Sequence, residues 1–221
     1  MSPTRPSVGS RVAPTRKGAR VQVRGDRTRD AIIEETVRCV IEEGFAAASA
    51  SHIADRAGVT WGVIQYHFGD RNGLLAAVVD HGYRQFRQAI EAVSAPEGPD
   101  RDRVAAVVDA AWSAFASPES RASLEILVAT RAGRGRAQAA ELESMAQDMR
   151  GLGAVLVGPR SGSRVDGAVL GEVLWAALRG LVLSQMLARR PVDSRAEREV
   201  LVDLLASFIG GARRPAHRSE R

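Results

Sequence analysis

The stretch from Ser49 to Leu75, SASHIADRAGVTWGVIQYHFGDRNGLL, constrains the fold of this chain more than any other. Ser49 is suited to cap a helix, because its hydroxyl accepts a backbone N–H of the first turn. Ile53, Ala54 and Ala57 then fall one helical turn apart and make one apolar face. Gly58 ends that helix, since it enters a left-handed turn without a Cβ penalty. Val59 fills the angle behind it, and Thr60 stands where a second cap is needed. The residues Trp61 to His67 make a second short helix whose inner side needs only Ile64 and Phe68. Trp61, Val63, Gln65 and Tyr66 are left to face outward, and a longer helix opens at Arg71.

Two short helices joined by a tight turn form a helix-turn-helix. A short helix carrying amide, hydroxyl and aromatic groups outward fits the DNA major groove, and its N-terminal N–H groups suit a phosphate. The run IADRAGVT-WGVIQYHF-GDRNGLL resembles the DNA-binding domain of the TetR family of bacterial transcription regulators. The family pattern is roughly I-A-x-x-A-G-V-[ST]-x-G-x-[LI]-[YQ]-x-[HY]-F-x-x-[KR]-x-x-L-[LI], and nearly every fixed position is filled. Gln65 stands where the family most often has Tyr, and His52 where an acidic residue usually completes a cap. The resemblance implies that Thr60 caps the recognition helix and holds a phosphate. Trp61, Gly62 and Val63 approach base edges, with Val63 toward a thymine methyl. Gln65 suits adenine, Tyr66 and His67 suit phosphates or bases, and Arg71 suits a phosphate. Ser51, with Ser49 at the head of the preceding helix, completes the DNA-facing set.

Charge is unevenly spread over the 221 residues, whose net is +5. Residues 1–29 carry eight basic side chains against Asp26 alone, and residues 213–221 four Arg against Glu220. Residues 1–26 hold Pro3, Pro6 and Pro14 and few large apolar groups, the composition of a basic, disordered arm. Such an arm follows DNA phosphates or enters the minor groove if it acts at all. The single cysteine, Cys39, sits among Val37, Val40 and Ile41 and reads as a small buried apolar group. No uninterrupted apolar run long enough to span a bilayer and no N-terminal signal segment are present, so a cytoplasmic location and no membrane partner are expected.

The remaining chain reads as seven more helices, about nine in all, in an all-α fold. Helix 1 covers about 28–43 and ends at Gly44, with Glu42 and Glu43 as solvated charges. Helix 4 covers about 71–94, helix 5 about 101–116, helix 6 about 119–130 with Leu124, Leu127 and Val128 inward, and helix 7 about 137–157. The division expected is a three-helix DNA-binding domain at 27–75, a larger effector-binding and dimerisation domain at 76–212, and a basic tail at 213–221. Helix 8, about 166–189, is apolar on most sides, its only charges being Glu172 and Arg179 between Gly167 and Ala188. A helix of that kind must be buried nearly all round, and a second subunit supplies the extra cover. With helix 9, about 194–210, it resembles the family's four-helix dimer interface. Leu174, Leu181, Leu201, Leu205 and Phe208 are the expected contacts, joining a homodimer that reads a near-palindromic DNA operator.

The family places a small-molecule effector among helices 4 to 8. Trp112, Phe115, Met145, Met149, Trp175 and Arg179 are the candidates, suiting a hydrophobic or aromatic molecule; for all but Arg179 a core role competes. Arg179 suits an acidic ligand or pairs with an acid such as Glu172. No metal spacing, nucleophile elbow or Gly-rich nucleotide loop is found, so neither an enzyme nor a cofactor is expected. The function implied is a ligand-responsive DNA-binding regulator, a repressor. The alternatives are a helix-turn-helix protein without an effector and an enzyme using the helical pocket.

Overall fold

A computed structural model describes residues 16–93, 98–133, 135–152, 166–188 and 192–211. Among them are nine α-helices and no strand: α1 (Arg16–Glu43), α2 (Ala50–Arg56), α3 (Trp61–Phe68), α4 (Arg71–Glu91), α5 (Asp100–Phe115), α6 (Pro118–Ala129), α7 (Arg136–Leu152), α8 (Gly167–Leu187) and α9 (Arg195–Gly211). A single 3-10 turn, Arg131–Gly133, joins α6 to α7. The expected all-α class, a helix-turn-helix domain followed by a larger helical one, is what the chain adopts.

Polar side chains cap the starts of α2, α4, α6 and α8. Ser49 accepts the His52 N–H at 3.3 Å, Asp70 the Gly73 N–H at 2.8 Å, Ser117 the Ser120 N–H at 3.2 Å and Asp166 the Ala168 N–H at 2.9 Å. Each satisfies an N–H that has no partner inside its own helix. The α2–α3 turn is closed by Val59 N–H to Ala54 O at 3.0 Å and Gly58 N–H to Asp55 O at 3.2 Å. Gly58 takes φ +64°, as the sequence required.

Helix α1 begins well before the expected Thr28. Pro14 is the last proline ahead of it, and the following Arg, Ala and Gln residues are adequate helix formers despite their like charges. Residues 16–26 of the expected arm are therefore helical, while residues 1–15 and the tail at 213–221 lie outside the described residues.

Two apolar cores organise the packing. The first holds Ile32, Ile33, Val37 and Val40 of α1, Ile53 of α2, Ile64 of α3 and Leu74, Leu75 and Val78 of α4. It also takes in Ala122 and Ile126 of α6, so it runs past the expected boundary at 75/76. The second gathers Phe86 and Ile90 of α4 with Val104, Val108 and Phe115 of α5, Leu174, Trp175 and Leu178 of α8, and Leu205 and Ile209 of α9. Helix α4 contributes to both.

The inner face of α6 is Ala122, Ser123 and Ile126 rather than the expected Leu124, Leu127 and Val128; Leu124 and Leu127 are half-buried and Val128 is exposed. Small residues face inward because α6 crosses α4 closely at Gly82. A Cβ there would stand 2.3 Å from Ser123 Oγ and 2.8 Å from the Glu119 carbonyl oxygen. Gly82→Ala is expected to destabilise the fold by about 1–3 kcal/mol through overpacking, read as a lowered urea midpoint with helical circular dichroism retained below the transition.

Candidate nucleic-acid interface

The recognition helix α3 is held to the body by Ile64, which is fully buried, and by Phe68, whose ring lies 5.3 Å from the Arg29 guanidinium. Its other side is open. Tyr66 is 84% exposed and Trp61 40%, and Thr60, Gly62 and Gln65 are exposed as well. Ser49 and Ser51 are exposed at the start of α2, their hydroxyls 3.4 Å apart.

Four of the expected DNA-facing residues have surroundings that the spacing alone does not indicate. Thr60 occupies the cap position, but its hydroxyl makes no cap hydrogen bond; its carbonyl accepts the Val63 N–H at 3.0 Å. Val63 is half-buried against the first core, because the short helix rolls it toward α2 and α4. His67 is half-buried, with its ring edge-on to Tyr66 at 5.0 Å and its Cε1 beside Gly25 of α1. Arg71 is engaged by the protein: its Nε donates to the Ala48 carbonyl at 2.7 Å and its guanidinium lies 4.8 Å from the centre of the Phe45 ring. Arg71 thus ties the start of α4 to the α1–α2 loop, a positioning role that a phosphate-contact pattern does not reveal.

Helix α2 is oriented by a charge cluster. Arg56 Nε donates to Glu35 Oε1 at 2.6 Å and a terminal nitrogen to Glu42 Oε2 at 2.8 Å, while the other pairs with Glu43. His52 Nε2 lies 2.9 Å from Glu43 Oε2. Glu42 and Glu43 are therefore paired, not merely solvated. Burial pushes the Glu35 carboxyl up, but hydrogen bonds from Arg56 and Arg38 outweigh it and hold the group below its ordinary 4.5. The His52 contact, then Arg56, lowers Glu43 in the same way. A depressed carboxyl contributes stability above pH 4.5 that is lost as pH falls through the lowered folded value. Arg56→Ala should lower the urea midpoint at pH 7, and the gap from the wild type should close as pH drops well below 4.5. A gap independent of pH would mean that Arg56 acts by packing alone.

The larger domain holds a cavity of about 330 Å³ between α4, α6, the 3-10 turn and α7. Leu75, Val79, Ile126, Leu127, Leu142 and Met145 make its apolar walls, and Asn72, Thr130 and Gln138 its polar groups. Of the expected effector set, Met145 alone lines this space. Phe115 and Trp175 are core: with Phe86 they form an aromatic cluster with ring centres 4.5–6.1 Å apart, and the Trp175 indole N–H donates to the Met149 carbonyl at 2.8 Å. Trp112 lies 4.8 Å under the Arg198 guanidinium, and Arg179 is exposed, its Nε donating to the Trp175 carbonyl at 3.1 Å. Glu172 pairs with Arg150, not with Arg179.

The expected dimer contacts also divide. Leu174 and Leu205 are buried in the second core and Leu181 and Leu201 are half-buried on it; Phe208 is 60% exposed. Outward from α8 stand Val169, Val173 and Leu187, and from α9 Val200 and Leu204, residues that the apolar pattern did not separate from their inward neighbours. By length and composition α8 is apolar enough to cross a membrane, although Leu170, Leu174, Trp175, Leu178 and Val182 place one side of it in the protein core.

The sequence pattern described as "Bacterial regulatory proteins, tetR family" matches residues 32–78. Among curated proteins, the HTH-type transcriptional regulator BetI of Stenotrophomonas maltophilia is 35% identical over 82 residues, 37% of this chain and 42% of that protein. BetI of Escherichia coli is 36% identical over 80 residues, 35% of this chain and 41% of that one. The matched stretch therefore spans less than half the length of these relatives. A putative transcriptional regulator from Pseudomonas aeruginosa PAO1 is 25% identical over 89% of this chain and 95% of that one, with a TM-score of 0.58. A tetR-family regulatory protein from Rhodococcus RHA1 shares the fold with a TM-score of 0.64, at 16% identity over 82% of this chain and 96% of that one. The multidrug binding protein EbrR, complexed with imidazole, is 24% identical over 80% of this chain and 89% of that one, with a TM-score of 0.58. Over residues 32–78 the chain is thus similar to bacterial regulatory proteins of the tetR family, and it shares their overall fold.

Proposed function

We propose that this protein is a DNA-binding transcription regulator, a repressor that binds a near-palindromic operator as a homodimer and is released by a small effector. The carrying observation is the outward set Trp61, Gln65 and Tyr66 on a helix anchored from behind by Ile64. An exposed amide and phenol beside Gly62, where backbone approaches closely, suit base edges and phosphates. Such a regulator works beside the chromosome, in the cytoplasm. The test is to select genomic fragments retained by the purified protein. Tyr66→Ala and Gln65→Ala should each weaken binding of a selected fragment, Gln65→Ala by about 1–3 kcal/mol with relaxed base preference. Unchanged binding in both would sink the docking.

The effector reading rests on the cavity. Among the described residues its walls carry no charged side chain, which favours a neutral, mostly apolar molecule hydrogen-bonded by Asn72, Thr130 or Gln138. EbrR, a structural relative, holds a small molecule. Asn72 adjoins Arg71, the clamp on the α1–α2 loop, so a ligand there bears directly on the start of α4. Ala76→Phe, which fills this space, should leave operator binding intact and abolish release. If release by an active compound survives, the effector sits elsewhere.

The dimer reading rests on apolar side chains turned to solvent. On α9, Val200, Leu204 and Phe208 recur at every fourth residue and are 58–64% exposed. A second copy covering this strip and the outer side of α8 forms a two-fold interface that spaces two recognition helices about 34–36 Å apart. Leu204→Glu with Phe208→Glu should give a folded monomer by light scattering, with operator binding greatly weakened. Leu205→Glu, by contrast, should damage folding, because Leu205 is core.

A further inference from the structure

Among the described residues, one set of mixed ligand atoms outside the surfaces discussed above converges. Cys39 and Glu43 stand one turn apart on α1, and His52 reaches them from α2. The Cys39 sulfur, a Glu43 carboxylate oxygen and a His52 ring nitrogen all lie within 4.8 Å of one another. Two elements supply three different donor types, and neither the helix-turn-helix nor the effector reading uses the thiol.

We infer that Cys39, Glu43 and His52 form a binding site for a borderline-soft divalent cation of the zinc class, clipping α2 to α1. The donor set is the thiolate, imidazole and carboxylate that such an ion takes. Tetrahedral zinc with bonds of about 2.0–2.3 Å places neighbouring ligand atoms about 3.3–3.6 Å apart. The His52–Glu43 pair stands at 2.9 Å and must open by a few tenths of an ångström, while the sulfur, within 4.8 Å of both, comes in by at most about 1.5 Å.

The surroundings agree with that reading. Among the described residues the cations that meet Glu35, Glu42 and Glu43, besides the His52 ring, are Arg38 and Arg56, so with a neutral imidazole the cluster carries one excess negative charge, and two once the thiol has lost its proton on coordination. A divalent ion balances that charge. Arg56 binds the other oxygen of Glu43 and so orients the carboxylate without consuming the ligand atom turned to His52. Cys39 is fully buried, while Glu43 and His52 are part-exposed, so the fourth position opens outward to water.

The site is tested on the full-length, tag-free protein stripped with a chelator and titrated with Co²⁺. Since the chain has one cysteine, thiolate-to-cobalt absorption reports Cys39 alone. One equivalent of Co²⁺ should develop this near-ultraviolet band, and Zn²⁺ should displace it. Cys39→Ser should abolish the band. His52→Ala and Glu43→Gln, each checked for native helical circular dichroism, should weaken Co²⁺ binding at least about ten-fold. Absence of the band in the folded wild type overturns the inference, as does a band undiminished in both His52→Ala and Glu43→Gln. None of these readouts involves DNA, so the site stands or falls apart from the regulatory reading.

Discussion

The burial of Ile64 against Leu74, Leu75 and Val78 is the contact on which the molecule depends. Helix α3 has eight residues, too short to persist alone in water. Its form and direction come from seating one side in the first core. The element that receives it, α4, runs on for 21 residues and ends among Phe86 and Ile90 of the second core. One helix thus joins the two apolar cores.

Two arginines refine this arrangement. Arg71 stands where the family resemblance implies a phosphate contact, yet its Nε holds the Ala48 carbonyl and its plane covers Phe45. Arg56 sits mid-pattern on a short helix, and three carboxylates of α1 converge on it. Both choices follow from geometry at close quarters. A planar guanidinium offers several donors in a fixed fork, so it serves several acceptors wherever the fold gathers them.

The larger domain illustrates a different difficulty. Apolar side chains at helical spacing identified α5 and α9, and Val104, Val107, Val108 and Ala111 are buried as their spacing requires. On α8 and α9, however, apolar residues occupy more than one side. Leu205 turns inward while Leu204, its neighbour, turns to solvent. Aromatic and methionine residues were attractive as ligand contacts, yet Trp175 and Phe115 fill the core and the cavity opens beside smaller residues near Thr130 and Gly133.

By itself, the amino-acid sequence determined the local elements: caps at Ser49, Asp70, Ser117 and Asp166, the left-handed turn at Gly58, and a recognition helix with Ile64 inward and Tyr66 outward. These depend on residues within a few positions of one another, so periodicity and hydrogen-bonding capacity suffice. Tertiary structure alone decided the place of Gly82 against Ser123, the partners of Arg56 and Arg71, the site of the cavity, and the side of α9 left bare. Each of those joins segments far apart in the chain, and a one-dimensional pattern carries no record of which helix will lie against which.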